Sequence, residues 1–118
     1  MNEEKYYTPQ LEEFGIGFEF EYQNKQGRWV KMKMDRLDFR VEQTMTLQYS
    51  LALHKERFRV KYLDEDDIKE ATDNYFHVAH IEPGIYCILP VRADNNNFFR
   101  GKIKNKSVLI NIVKALEI

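Results

Sequence analysis

The stretch YYTPQLEEFGIGFEFEY, residues 6–22, decides the class of fold that this chain adopts. From residue 16 onward apolar side chains alternate with glycine or glutamate, in the order Ile16, Gly17, Phe18, Glu19, Phe20, Glu21, Tyr22. A period of two is typical of a β-strand, in which successive side chains point to opposite faces. The stretch therefore predicts a strand with aromatic rings on one face and carboxylates on the other.

A second strand follows after a short turn. Residues 24–27 (NKQG) have turn composition, and residues 29–34 alternate again, with Lys31 and Lys33 between apolar neighbours. Two alternating runs joined by such a turn indicate an antiparallel hairpin. We expect Lys31 and Lys33 to lie opposite Glu19 and Glu21, because opposite charges on neighbouring strands favour pairing.

Alternation continues through much of the remaining chain. It predicts further strands at residues 37–41, 45–53, 57–62, 75–80, 85–89 and 98–104. The runs at 45–53 and 57–62 are predicted to form a second hairpin. Pro90 is expected to end its strand or to place that strand at a sheet edge, and Gly101 is expected to mark a bulge.

Two segments have the pattern of helices. Asp64 and Asp67 have the spacing of an N-terminal capping pair for a short helix at 65–71. At the C-terminus, Ser107 is predicted to cap a helix whose apolar residues include Leu109, Ile112, Val113 and Leu116. The β-branched residues of this segment leave a strand as the alternative. The predicted fold is α+β: a mainly antiparallel, curved sheet of about six to eight strands in hairpins, a short central helix, and a C-terminal helix packed on the sheet.

Length and composition predict one domain, 1–118, inside a cell. A chain of 118 residues with 43% hydrophobic residues can bury one core. No apolar run approaches the length of about 18 residues that a membrane span needs, and the opening residues do not resemble a secretory signal. Cys87 is the single cysteine, so no internal disulfide forms. These features predict a cytoplasmic protein without a membrane segment.

The charges are arranged in blocks. Residues 1–22 hold six acids and one base, 23–62 four acids and ten bases, 63–82 seven acids and one base, and 83–118 two acids and six bases. Such alternation predicts that acidic and basic segments are neighbours in the fold or across a symmetric interface. It does not favour a polyanion as the partner.

No constellation of residues predicts a catalytic, cofactor or metal site. Glu19 and Glu21 share one strand face, which is more typical of a solvated surface than of an acid–base pair. His77 and His80 are three residues apart on a predicted strand and therefore point to opposite faces, which disfavours a metal set with Cys87. Cys87 itself lies in an apolar run and is predicted to be a core residue.

One alternative is a surface for nucleic acid. Its candidate contacts are the basic residues of two strands, Lys31, Lys33, Arg57, Arg59 and Lys61, with Trp29, Tyr49 and Tyr75 as stacking surfaces. Cations interleaved with aromatic rings are typical of single-strand binding proteins. The net charge of −1 and the acidic blocks weigh against this alternative.

A resemblance adds a biological setting. The opening YTPQLEEFGIGFEFEY, the central RVKYLDEDDI at 59–68 and the closing FFRGKIKNKSVLINIVKALEI at 98–118 resemble a family of small proteins of unknown function encoded by bacteriophages and prophages of gut Bacteroidetes. This resemblance implies an intracellular role in a bacterial host. It implies no activity and no catalytic residues.

The leading hypothesis is a non-enzymatic accessory protein that binds another protein of the phage or the host. The C-terminal helix has apolar residues outside its core-facing stripe, namely Val108, Ile110, Ala115 and Ile118. We predict that these four form an interface, which makes a homodimer an expected assembly.

Overall fold

The computed structural model of the protein describes residues 5–73, 75–91 and 97–117. Contacts divide the chain into two compact units, Met1–Lys61 and Tyr62–Ile118, which we call the first and second unit. The sequence-based assignment of one domain stays a prediction.

The elements confirm the predicted α+β class. The strands are β1 (Tyr6–Tyr7), β2 (Glu19–Gln23), β3 (Trp29–Lys33), β4 (Phe58–Lys61), β5 (Phe76–Glu82), β6 (Ile85–Pro90) and β7 (Phe99–Lys102). The α-helices are α1 (Leu47–Leu53), α2 (Glu65–Thr72) and α3 (Lys106–Leu116), and 3₁₀ turns occupy Leu11–Glu13 and Lys55–Arg57. The described strands form two antiparallel sheets, of four and three strands, and β6 ends at Pro90 as predicted.

The first unit contains the four-stranded sheet, in the order β1-β4-β2-β3. The predicted hairpin is present as β2 and β3, with Glu19 opposite Lys33 and Glu21 opposite Lys31. This register is the one in which every glutamate of β2 has a lysine as its cross-strand neighbour.

Aromatic rings fill the inner face of this sheet. Phe20, Tyr22 and Phe58 are buried, and Phe14 contacts Phe18 and Phe20 edge to face with ring centroids 4.9 and 5.1 Å apart. The same alternation that predicted β2 therefore supplies the core, because one side of the strand carries only rings.

Two predicted strands are absent from the described first unit. The segment predicted as a strand at 45–53 is helix α1, capped by Thr46, whose Oγ1 accepts a hydrogen bond from the Tyr49 amide at 3.2 Å. Leu47, Ser50 and Leu51 are buried at helical spacing. The predicted second hairpin is therefore wrong, and β4 pairs with β1 and β2. Residues 37–41 form no strand either, and Leu37 is 80% exposed.

The second unit contains the three-stranded sheet, in the order β5-β6-β7, with helices on one face. Its core joins Phe76, Tyr86 and Ile88 of the sheet to Leu109 and Val113 of α3. Ile68 and Ala71 of α2 pack against the same core. The predicted packing of the C-terminal helix on a sheet is confirmed.

The helix caps and the bulge in this unit differ partly from expectation. The predicted capping pair of α2 is present, with the Asp64 Oδ1 accepting from the Asp67 amide at 2.9 Å. Ser107 does not cap α3, because Asn105 precedes it and its Oδ1 accepts from the Val108 amide at 2.9 Å. Gly101 is not in a bulge, since β6 and β7 keep one register, and the register shift lies between His80 and Glu82.

Candidate protein-binding site

The structure brings four of the five predicted nucleic-acid contacts to one surface, the outer face of the first sheet. Lys31, Lys33, Arg59 and Lys61 alternate with core residues on their strands and share this face. The carboxylates of Glu19 and Glu21 lie in the strand between them.

Arg59 contacts three other side chains of this face. Its Nε and Nη2 donate to Glu21 Oε1 at 3.2 and 2.9 Å. Its guanidinium carbon lies 3.9 Å from the ring centroid of Tyr6 and 4.1 Å from that of Trp29. The central cation and the predicted stacking ring of Trp29 therefore bind each other.

Arg57 lies apart from the other four, in the 3₁₀ turn before β4. Its Nη1 is 3.8 Å from Glu42 Oε1, and the Tyr22 hydroxyl donates to the same oxygen at 2.7 Å. Burial, and next the hydrogen bond to Glu42, raise the pKa of Tyr22 above its usual value near 10. The chain's own carboxylates thus face both arginines of the predicted set.

The structure does not assemble the predicted helix interface into one patch. Val108 is 37% exposed, Ala115 is exposed, and Ile110 is half-buried. Val108 and Ala115 are seven residues apart and share one side of α3, whereas Ile110 is about 200° around the helix from Val108. Ile118 lies outside the described residues.

The residues weighed as a metal set are also separated. His77 pairs with Leu89 and Cys87 with Ala79, which places His77 and Cys87 on the outer face of the second sheet. His80 pairs with Tyr86 on the other face and stacks on its ring, with centroids 4.7 Å apart. Within residues 5–73, 75–91 and 97–117, no group of three or more His, Cys, Asp or Glu side chains has metal-binding geometry.

The feature that sequence reasoning missed is the outer face of the second sheet. Besides His77, the register places on it six residues of low polarity, which we call the apolar sheet face: Tyr75, Ala79, Ile85, Cys87, Leu89 and Val91. A backbone hydrogen bond of 2.9 Å from Val91 to Tyr75 extends the pairing beyond the strand ends. Phe98, directly before β7, lies at its margin.

Much of the apolar sheet face is exposed. The exposed fraction is 72% for Tyr75, 56% for Phe98, 48% for Val91 and 43% for Leu89. An antiparallel sheet with one covered face usually presents polar residues on the other. Here both faces of β6 are apolar, which is typical of a surface that a further molecule covers.

Charged residues border this face. Arg100 pairs with Cys87, Lys102 pairs with Ile85, and Glu82 pairs with Ile85 from the other side. All three are exposed, and none has an ion-pair partner among the residues that the structure describes. The border therefore offers two cations on β7 and one carboxylate on β5.

The signal for this face was present in the sequence as an uninterrupted apolar run. Residues 85–91 (IYCILPV) contain no polar position, in contrast to the strict alternation of β2. A continuous run predicts a strand that is apolar on both faces. It does not say which face the chain itself covers.

Comparison of the chain with protein-family models, curated proteins and solved structures gave no match. In the described part of the chain, no helix has the length and apolar character required to cross a membrane.

Proposed function

We propose that this protein is a non-enzymatic accessory protein of a bacteriophage or prophage, and that it acts by binding another protein through the apolar sheet face. The observation that carries the proposal is the exposure of Tyr75, Leu89 and Val91 on a sheet whose opposite face is filled by α2 and α3. The phage setting and the bacterial cytoplasm rest on the sequence resemblance.

The chemistry of this face favours protein over nucleic acid. Its centre is aliphatic at Ile85 and Leu89, and aliphatic groups gain from contact with apolar side chains and not with phosphates. The second unit carries nine acids and seven bases, a formal charge of −2. A polyanion would approach this unit against its net charge.

The alternative nucleic-acid surface on the first sheet has less support. Glu21 and two aromatic rings hold Arg59, and Glu42 lies beside Arg57. A phosphate would have to displace these contacts, and Glu19 and Glu21 would repel it. Lys31 and Lys33 remain exposed on β3 as its strongest candidates.

The test is a comparison of two leucine variants. L89E places a carboxylate in the apolar sheet face, and the matched control L37E places one at a leucine that is 80% exposed elsewhere. A partner recovered from a Bacteroidetes host is purified, and its affinity is measured for both variants. We expect L89E to weaken binding at least about tenfold, because a buried unpaired charge is costly at an interface, and L37E to bind as the wild type does.

Equal binding by L89E and the wild type would contradict the proposed surface. Oligonucleotide binding is measured in parallel at low salt. Binding that weakens steeply with salt and is lost in a K31E/K33E variant would favour the nucleic-acid alternative instead.

A further inference from the structure

We infer that the partner that covers the apolar sheet face is a second copy of this chain, related by a twofold axis parallel to β6. The inference rests on the proposed function for the choice of face and adds the identity and orientation of the occupant.

Two charges of opposite sign lie at the same end of the sheet, one on each of its two edge strands. Glu82 on β5 and Lys102 on β7 both pair with Ile85, so they flank it on its two sides. Neighbouring strands are about 4.8 Å apart, which leaves Glu82 and Lys102 about 10 Å from each other across the face. Neither has an ion-pair partner among the described residues.

Rotation by 180° about an axis along β6 exchanges the two edges. β5 of one copy then lies over β7 of the other, and Glu82 of each copy faces Lys102 of its mate. The contact occurs twice, as in any isologous interface. A twofold axis in the plane of the interface, perpendicular to the strands at the level of Cys87, would instead place Arg100 over its own copy, which is repulsive.

The middle of the face suits the same arrangement. β6 lies over its own copy, so that Ile85, Cys87 and Leu89 meet apolar counterparts. Face-to-face sheets pack about 10 Å apart with strand directions within about 30° of each other, a range that includes the parallel arrangement. Cys87, the single cysteine of the chain, then lies near the axis, and a short bifunctional thiol reagent can bridge two copies.

The size of the face predicts a weak dimer. Three strands about 4.8 Å apart and seven residues of about 3.4 Å give a patch of roughly 300 Å² for each copy. A stable interface buries about 800 Å² for each partner. The dimer is therefore expected to form at high protein concentration and to dissociate on dilution.

The first experiment measures association of the full chain by sedimentation equilibrium from about 10 μM to about 1 mM, with thiol cross-linking at the same concentrations. We expect a reversible monomer–dimer equilibrium and a Cys87-linked dimer. Both are expected to be lost in L89E and retained in the L37E control. Circular dichroism melts establish that each variant is folded.

The second experiment tests the orientation with E82K and K102E. Each variant alone places like charges at both contacts, and we expect its association to be about tenfold weaker than that of the wild type. In an equimolar mixture the two variants form a mixed dimer in which both contacts join a cation to a carboxylate. The mixture is therefore expected to associate more strongly than either variant alone.

Three results would overturn the inference: a wild-type chain that stays monomeric throughout the concentration range, a dimer that L89E does not weaken, or a mixture of E82K and K102E no stronger than its components. A monomeric chain that still binds a different purified protein in a Leu89-dependent way would overturn the second copy and retain the proposed function. A dimer that passes the mixing test supports the inference.

Discussion

The outer faces of the two sheets differ in how their exposed groups are satisfied. On the first sheet, the guanidinium of Arg59 lies between the rings of Tyr6 and Trp29 and donates to Glu21. On the second, Tyr75 and Leu89 are exposed, and Arg100 has no carboxylate partner among the described residues. Aromatic and basic residues on a sheet are therefore available to a partner only where their own chain leaves them without contacts.

The inner faces of the two sheets should respond alike to the loss of a core side chain. This loss is the largest effect on stability that we expect. Phe58 is 1% exposed in the first core and Ile88 is 0% exposed in the second. We expect Phe58→Ala and Ile88→Ala each to lower the free energy of unfolding by about 2–5 kcal/mol, because each leaves a cavity. Chemical denaturation followed by far-ultraviolet circular dichroism measures both losses.

The same pair of variants tests the predicted single domain. Trp29 is the only tryptophan of the chain and lies in the first unit, so its fluorescence follows that unit. If 1–118 unfolds as one domain, Ile88→Ala shifts the Trp29 transition together with the circular dichroism. An unchanged Trp29 transition in Ile88→Ala would show that the units unfold separately.

The next largest effect on stability is expected on the outer face of the first sheet, where Arg59 contacts other side chains. Arg59→Ala removes two charge-assisted hydrogen bonds and the stacking with two rings, and we expect a loss of about 1–3 kcal/mol. Arg59→Lys should lose less, since it keeps the charge without the planar fork. Arg100→Ala is the matched control on the other sheet, with an expected change within about 0.5 kcal/mol. Equal losses at Arg59 and Arg100 would remove the contrast between the faces.

A smaller effect is expected on the pH dependence of stability, to which two buried tyrosines contribute. The pKa of Tyr22 is raised by burial and by Glu42, and that of Tyr86 by burial and by the Glu65 carboxylate. Above pH about 10 the unfolded chain releases these protons while the folded chain retains them, so the free energy of unfolding falls as pH rises. Tyr22→Phe and Tyr86→Phe should each flatten this alkaline decline.

The two variants should differ at neutral pH. Tyr22 donates to Glu42 at 2.7 Å, whereas Tyr86 has no hydroxyl partner among the described residues. Tyr22→Phe is therefore expected to cost about 1 kcal/mol and Tyr86→Phe close to nothing. Denaturation series at pH 7 and between pH 9 and about 11 measure both quantities. An alkaline slope unchanged in Tyr22→Phe would contradict the burial of its hydroxyl.

The smallest effect on stability is expected on the apolar sheet face. Leu89→Thr places a β-branched residue, which suits a strand, at this position, and we expect the free energy of unfolding to change by less than about 0.5 kcal/mol because Leu89 is 43% exposed. Thermal denaturation of dilute protein measures this change without a contribution from dimers. A loss above about 1.5 kcal/mol would indicate that the chain itself packs on Leu89.

The sequence predicted correctly those elements whose residue pattern fits only one type of secondary structure. The β2–β3 register follows from alternating rings and complementary charges, and the cap of α2 follows from Asp64 and Asp67. At residues 45–53 two patterns coincide, because Leu47 and Leu51 satisfy both a period of two and helical spacing. Packing of both leucines into the core of the first unit decides for the helix.

The candidate site was less predictable, because it depends on which face of a strand is left open. The run at 85–91 identifies a strand that is apolar on both sides, but the side that α3 covers is set by the fold of the second unit. Likewise, nothing in the spacing of Arg59 and Trp29 indicated that they stack, because they are 30 residues apart, on strands that only the sheet order brings together.

The register shift between His80 and Glu82 alters one edge of the second sheet. It lies in β5, an edge strand, and a bulge twists an edge so that it is a poor template for a strand of another molecule. Growth by edge-to-edge addition, the route to filaments, is therefore disfavoured at β5. The contact that we infer uses the face of this sheet instead, and a twofold contact closes on itself and stops at two copies.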